Sequence, residues 1–193
     1  GEYTSNGVEN GIIFSTRGTE PTTKEQYFLD LVYTDANIIN SDITAQEVKM
    51  YEYLDGEFAT LIQQKGYSNL ATVGHSLGGY LAFSAAAHIV NEEGYAADIF
   101  MQGTNIDGPG VTEENLEANQ DIYAKINPYL THYHYTYIGS LLTPICDKYI
   151  SITGASDSQM FAESISQELY DNICNEFGAE TAYKMNSIYE YIT

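Results

Sequence analysis

The chain is short of positive charge, cysteine, histidine and proline, and it has no tryptophan. Seven Lys and Arg stand against 27 Asp and Glu, a net charge of −20. So few cations offer little to a phosphate backbone, which argues against nucleic acid as a partner. An anionic membrane surface repels such a chain on average, and strong acidity by itself speaks for solubility. No stretch approaches the ~18 apolar residues of a membrane span. Two cysteines, Cys146 and Cys174, make no disulfide framework; one disulfide and two buried thiols both fit. The four histidines and two cysteines show no zinc spacing, and the acidic residues show no calcium-loop spacing, so neither metal nor cofactor is expected. The chain begins at Gly1 rather than Met, which reads as a trimmed or processed form. Its compartment stays open, a secreted or cell-surface location included.

What is present is one dense motif in a chain of 193 residues, long enough for a single domain over 1–193 with a full core. The apolar run Leu70-Ala71-Thr72-Val73 stops at Gly74, and a second one, Leu81 to Val90, begins just past Gly79. Between them Ser76 is flanked two residues either side by Gly74 and Gly78, the G-x-S-x-G pattern of a nucleophile elbow. A strand turning directly into a helix forces the serine into a strained conformation, and only glycines let the two arms approach. The hydroxyl is then exposed above the sheet. The N–H of Leu77 lies beside it at a helix N-terminus, where negative charge is favoured. Ser76 is therefore the candidate nucleophile.

Around this motif strands and helices alternate. The first ten residues are polar and read as irregular. Residues 11–16 read as a short buried strand, followed by a turn-rich loop at 17–21 and a mixed stretch over 22–43. Thr44 and Glu47 form a capping box for an amphipathic helix that Gly66 ends. The elbow helix covers about 77–92, with Gly94 as its stop, and is apolar nearly all round, so it should be buried. A strand follows over 98–104, then Asn105-Ile106-Asp107-Gly108-Pro109-Gly110, an acidic helix over 112–126, strands at 131–137 and 148–153, and helices within 156–193 broken near Gly178. The alternation predicts an α/β fold, a mainly parallel central sheet with helices on both faces.

Three stretches in this order, Ile13-Phe14-Ser15-Thr16-Arg17-Gly18-Thr19, Gly74-His75-Ser76-Leu77-Gly78-Gly79 and Asp107-Gly108-Pro109-Gly110, give the chain its resemblance to a known family. Tyr137-Ile138-Gly139-Ser140-Leu141-Leu142 adds a weaker match. The chain resembles the class 3 (fungal-type) lipases and, more closely, a branch of small bacterial proteins related to them. The resemblance implies an α/β-hydrolase-like fold and ester hydrolysis through an acyl-serine intermediate, on a small acyl ester or lipid. It implies Ser76 as nucleophile, and Leu77 and Thr19 as the two halves of an oxyanion hole. Two donors are needed because attack leaves an alkoxide oxygen, and each preorganised donor contributes about 2.7–4 kcal/mol.

The chain departs from the family at the base. The family's histidine comes in a loop after the last strand, and the corresponding stretch, 154–161, has none; no histidine follows His134. The family's acid is expected near 135–137, where this chain has Thr136. Asp107 ends the strand after the elbow helix, so Ser76, Asp107 and His134 restore the order Ser, acid, His. His132 competes with His134, and Asp147 and Asp157 are lesser candidates for the acid. The leading expectation is a serine esterase or lipase-like hydrolase. A hydrolase fold without catalysis, used for binding, is the alternative, and a base carried by a segment outside this chain is a third reading.

Overall fold

The sheet grows strand by strand in chain order from a hairpin at the N-terminus. In the computed structural model the described residues are 2–5, 8–18, 44–92, 94–135, 138–140, 142–152 and the isolated positions 171, 175 and 179. β1 (Glu2–Ser5) pairs antiparallel with β2 (Val8–Thr16). The expectation that the first ten residues are irregular is thus corrected. A polar segment with little intrinsic signal becomes a strand when a neighbour supplies the ladder, and sheet edges tolerate such sequences.

From β2 onward the sheet is parallel: β3 (Asn69–His75), β4 (Phe100–Ile106), β5 (Leu130–His134) and β6 (Tyr149–Ser151) follow in the order β1-β2-β3-β4-β5-β6. The predicted α/β class, with a mainly parallel sheet and helices packed around it, is what the chain adopts. Between β2 and β3 come α1 (Ala45–Tyr53), a π-helical turn at Leu54–Phe58 and α2 (Ala59–Lys65). The Thr44 hydroxyl accepts from the Glu47 N–H at 3.1 Å and the Glu47 carboxylate accepts from the Thr44 N–H at 2.9 Å, so the capping box forms as read. Gly66 closes α2 with φ 64, a left-handed C-cap.

α3 (Leu77–Asn91) is the centre of the helical layer, packed on β2, β3 and β4 and touching α1. Its small residues Ala82, Ala85 and Ala86 are fully buried and bring the helix close to the sheet, over Leu70. A short α4 (Tyr95–Asp98) precedes β4. The acidic helix expected over 112–126 is two helices, α5 (Glu113–Ala118) and α6 (Gln120–Ile126); α6 also packs on α3. They part at Asn119, whose side-chain amide donates back to the Asn115 carbonyl at 2.9 Å and competes with the helix ladder. Ile62, Ile126 and Leu130 complete the buried core. Among the described residues Cys146 is a free, buried thiol, and burial pushes its pKa up to about 11, while Cys174 lies outside the described residues. Among the described residues no helix is long and apolar enough to cross a membrane. The mixed stretch over 22–43 and the break near Gly178 lie outside the described residues.

Candidate active site

Ser76 is the single residue between β3 and α3, and it has φ 55 and ψ −135. A positive φ in a residue with a Cβ is costly and survives only where its surroundings over-determine it. Here they do. A Cβ on Gly74 would overlap the Gly78 carbonyl, and one on Gly78 would lie 2.6 Å from the Thr16 carbonyl oxygen. Strand end, helix start and the end of β2 are therefore in backbone contact. The Thr16 hydroxyl fastens the corner, donating to Gly78 O at 2.6 Å and to Val73 O at 3.2 Å. The loop after β2 arrives at the same place: a Cβ on Gly18 would lie 3.4 Å from the Ser76 Cβ and 2.7 Å from the His75 carbonyl oxygen. Leu77 is buried as the first residue of α3, so its N–H has no partner four residues back in the helix. Thr19 and Asp157 lie outside the described residues.

Strand register aligns the other two candidates with Ser76. His75 pairs with Ile106, and Ile106 with Tyr133, so Ser76, Asp107 and His134 each come one step further on. The backbone carries the alignment forward: Ser76 N–H donates to Ile106 O at 2.9 Å and Asp107 N–H to Tyr133 O at 2.6 Å. A hydroxyl, a carboxylate and an imidazole thus stand in one row across the carboxyl ends of three parallel strands, the rim at which open α/β sheets bind ligands. Asp107 is buried, has φ 54, and its Oδ1 accepts from the Tyr135 N–H at 2.8 Å. Gly139 fits between the other two: a Cβ there would overlap Asp107 Oδ1 and lie 2.7 Å from the His134 Cβ.

The row does not close into a hydrogen-bonded chain. His134 stands on the far side of Asp107 from Ser76, two strand spacings or about 10 Å away. Its ring stacks on Tyr149 at 4.1 Å, nearly parallel, with Nδ1 3.4 Å from the Ser140 hydroxyl. Among the described residues no side chain is hydrogen-bonded to the Ser76 hydroxyl. His132 is 1 % exposed, near the Gly108 backbone but with no well-formed hydrogen bond to either ring nitrogen among the described residues, and its ring meets Phe83 and Tyr149 edge-on. His75 bonds the Tyr135 hydroxyl at 2.7 Å, and His88 bonds Asp55 at 2.7 Å while stacking on Tyr51. Asp147 is exposed just ahead of β6, with its N–H held by Asn127; this is below the level of Ser76, and the fold does not bring the two together.

Sequence reasoning passed over Asn105. It is fully buried, its Oδ1 accepts from the Gly108 N–H at 2.7 Å, and its amide donates toward Pro109 O at 3.3 Å. It shapes the turn that seats Gly108 beside the Ser76 carbonyl. An Asn opening an N-x-D-G-P turn was the available signal.

Fold and corner together define the class: an α/β chain whose parallel sheet presents a strained serine at its carboxyl rim. The chain matches no family model, no curated protein and no solved structure.

Proposed function

We propose that the chain is a serine hydrolase of carboxylic esters, similar to the class 3 lipases, with Ser76 as its nucleophile. The observation that carries this reading is the backbone of Ser76, positive in φ and locked by glycine contacts on both sides. Such strain at a residue with a reactive side chain is typical of functional sites. In the reaction the Ser76 oxygen attacks the ester carbonyl carbon and its proton passes to an imidazole. The carbonyl oxygen, now negative, faces the Leu77 N–H, with Thr19 as the second donor that the family resemblance implies. The ester C–O bond breaks, the alcohol leaves with the proton, and water hydrolyses the acyl-serine by the same steps. His134 serves as base with Asp107 as its carboxylate, which requires the ring to leave Tyr149 and reach past Asp107 to the Ser76 hydroxyl. A small acyl ester or lipid is the substrate class.

One observation favours a second reading, a silent fold that binds without catalysis: the His134 ring lies on Tyr149, not against Ser76. A fluorophosphonate probe separates the two. Labelling located at Ser76 by mass spectrometry and absent from Ser76→Ala supports the hydrolase. A wild-type protein that takes no label, and that does not hydrolyse p-nitrophenyl esters, supports the silent fold.

A further inference from the structure

A cavity of about 320 Å³ opens between α1, α3, α6 and the loop that follows β4. It is separate from the Ser76 corner, and two of its lining side chains are unusual. Glu47 is 4 % exposed; its carboxylate accepts from the Tyr80 hydroxyl at 3.0 Å, the Ser84 hydroxyl at 2.6 Å and the Thr44 N–H. Among the described residues no Lys, Arg or His lies within ion-pair distance of it, and no Lys or Arg lines the cavity. Hydroxyl donors spread a buried charge but do not cancel it, and buried carboxylates are ordinarily matched by a cation. On the strand side His132 lines the same space, almost completely buried; the Gly108 backbone lies near the ring, and among the described residues neither ring nitrogen makes a well-formed hydrogen bond. Buried polar atoms left bare in a roomy site point to an occupant that bonds them.

We propose that this cavity binds a small organic ammonium ion, a primary amine on a short apolar chain, between Glu47 and His132. An ammonium group has three N–H donors, and Glu47 and a neutral imidazole are both acceptors. Burial, with His134 nearby, lowers His132 to about 4, so the ring is uncharged at neutral pH and accepts rather than repels. Tyr51, Tyr80 and Phe83 also line the cavity, and aromatic rings attract cations. Burial and the Glu47 charge push Tyr51 up to about 12 and Tyr80 higher still, so these hydroxyls keep their protons and add no competing charge. Val111, Ile122 and Ile145 supply the apolar wall for a short alkyl chain. A metal ion fits less well, since no group of three His, Cys, Asp or Glu able to hold one is found among the described residues.

The test uses the whole chain and n-butylammonium chloride, with 1-butanol and matched sodium chloride as controls, read by titration calorimetry and thermal unfolding at neutral pH. The amine should bind saturably and raise Tm, whereas butanol and sodium should not. Glu47→Gln keeps an acceptor for the helix cap and should weaken the amine about tenfold or more, the loss of one charged hydrogen bond. His132→Phe keeps the ring contacts with Phe83 and Tyr149 and should weaken it several-fold. Ser76→Ala should bind unchanged, which keeps this site independent of the hydrolase reading. Equal stabilisation by butanol, absence of saturable binding, or undiminished affinity in Glu47→Gln or His132→Phe would leave a cavity that holds water only and overturn the proposal.

Discussion

Ser76 and Asp107 occupy the same level on adjacent parallel strands, and both have left-handed backbones, at φ 55 and φ 54. The Ser76 N–H donates to the carbonyl of the residue just before Asp107. Each such conformation costs on the order of 1–3 kcal/mol when the residue carries a Cβ. The fold therefore holds two strained polar residues side by side at one rim.

This strain is measurable at Ser76. Ser76→Gly relieves the Cβ while keeping the corner, so the variant should be more stable than wild type by about 1 kcal/mol after the extra entropy of glycine in the unfolded chain. It should also take no fluorophosphonate label. Urea unfolding reads the first effect, and a variant less stable than wild type would mean that the corner is relaxed.

The close backbone contact at the elbow predicts the opposite sign two residues earlier. In Gly74→Ala the new methyl overlaps the Gly78 carbonyl, a backbone group with nowhere to go, so the loss should be roughly 3 kcal/mol or more. Gly56, in the π-helical turn, is the control, with nothing within 4 Å of an added Cβ. There alanine should stabilise by about 0.5–1 kcal/mol. Similar melting temperatures for the two variants would contradict the packing described at the corner.

Under the hydrolase reading, Asp107→Asn and His134→Ala separate acid from base. Asn tolerates positive φ and still accepts from the Tyr135 N–H, so Asp107→Asn should fold normally and lose orders of magnitude in ester turnover. His134→Ala should lose turnover as completely, with little change in Tm, because its ring is only half buried against Tyr149. Unchanged p-nitrophenyl ester hydrolysis in His134→Ala would remove it as the base.

What the sequence made legible was local. The Gly74, Ser76 and Gly78 spacing, the Thr44 and Glu47 box and the Gly66 cap all act within a few residues, and each forms as read. What it concealed depends on partners far along the chain. β1 is a strand because β2 offers a ladder, and Asn119 breaks a helix because its own side chain competes for Asn115. His134 turns to Tyr149, which only the β5–β6 pairing brings alongside. Glu47 reads in sequence as a cap and nothing more. Its contacts with Tyr80 and Ser84, 33 and 37 residues away, follow from how α1 lies on α3.

His132 gives the chain a pH dependence of definite sign. Burial and the neighbouring His134 hold its folded value at about 4, against 6.5 for the free side chain, outweighing the Gly108 backbone and the Asp107 carboxylate that act the other way. Between these two values the unfolded chain takes up a proton that the folded chain refuses. Stability attributable to this residue should therefore be fully present above pH 6.5, fall as the pH drops toward 4, and level off below. The whole difference is on the order of 3 kcal/mol. Surface carboxylates titrate over part of the same range, so the comparison is with His132→Phe, in which they titrate equally. Urea unfolding across this range should give a steeper decline for wild type than for His132→Phe, whereas parallel curves would show that the buried imidazole takes up its proton as readily folded as unfolded.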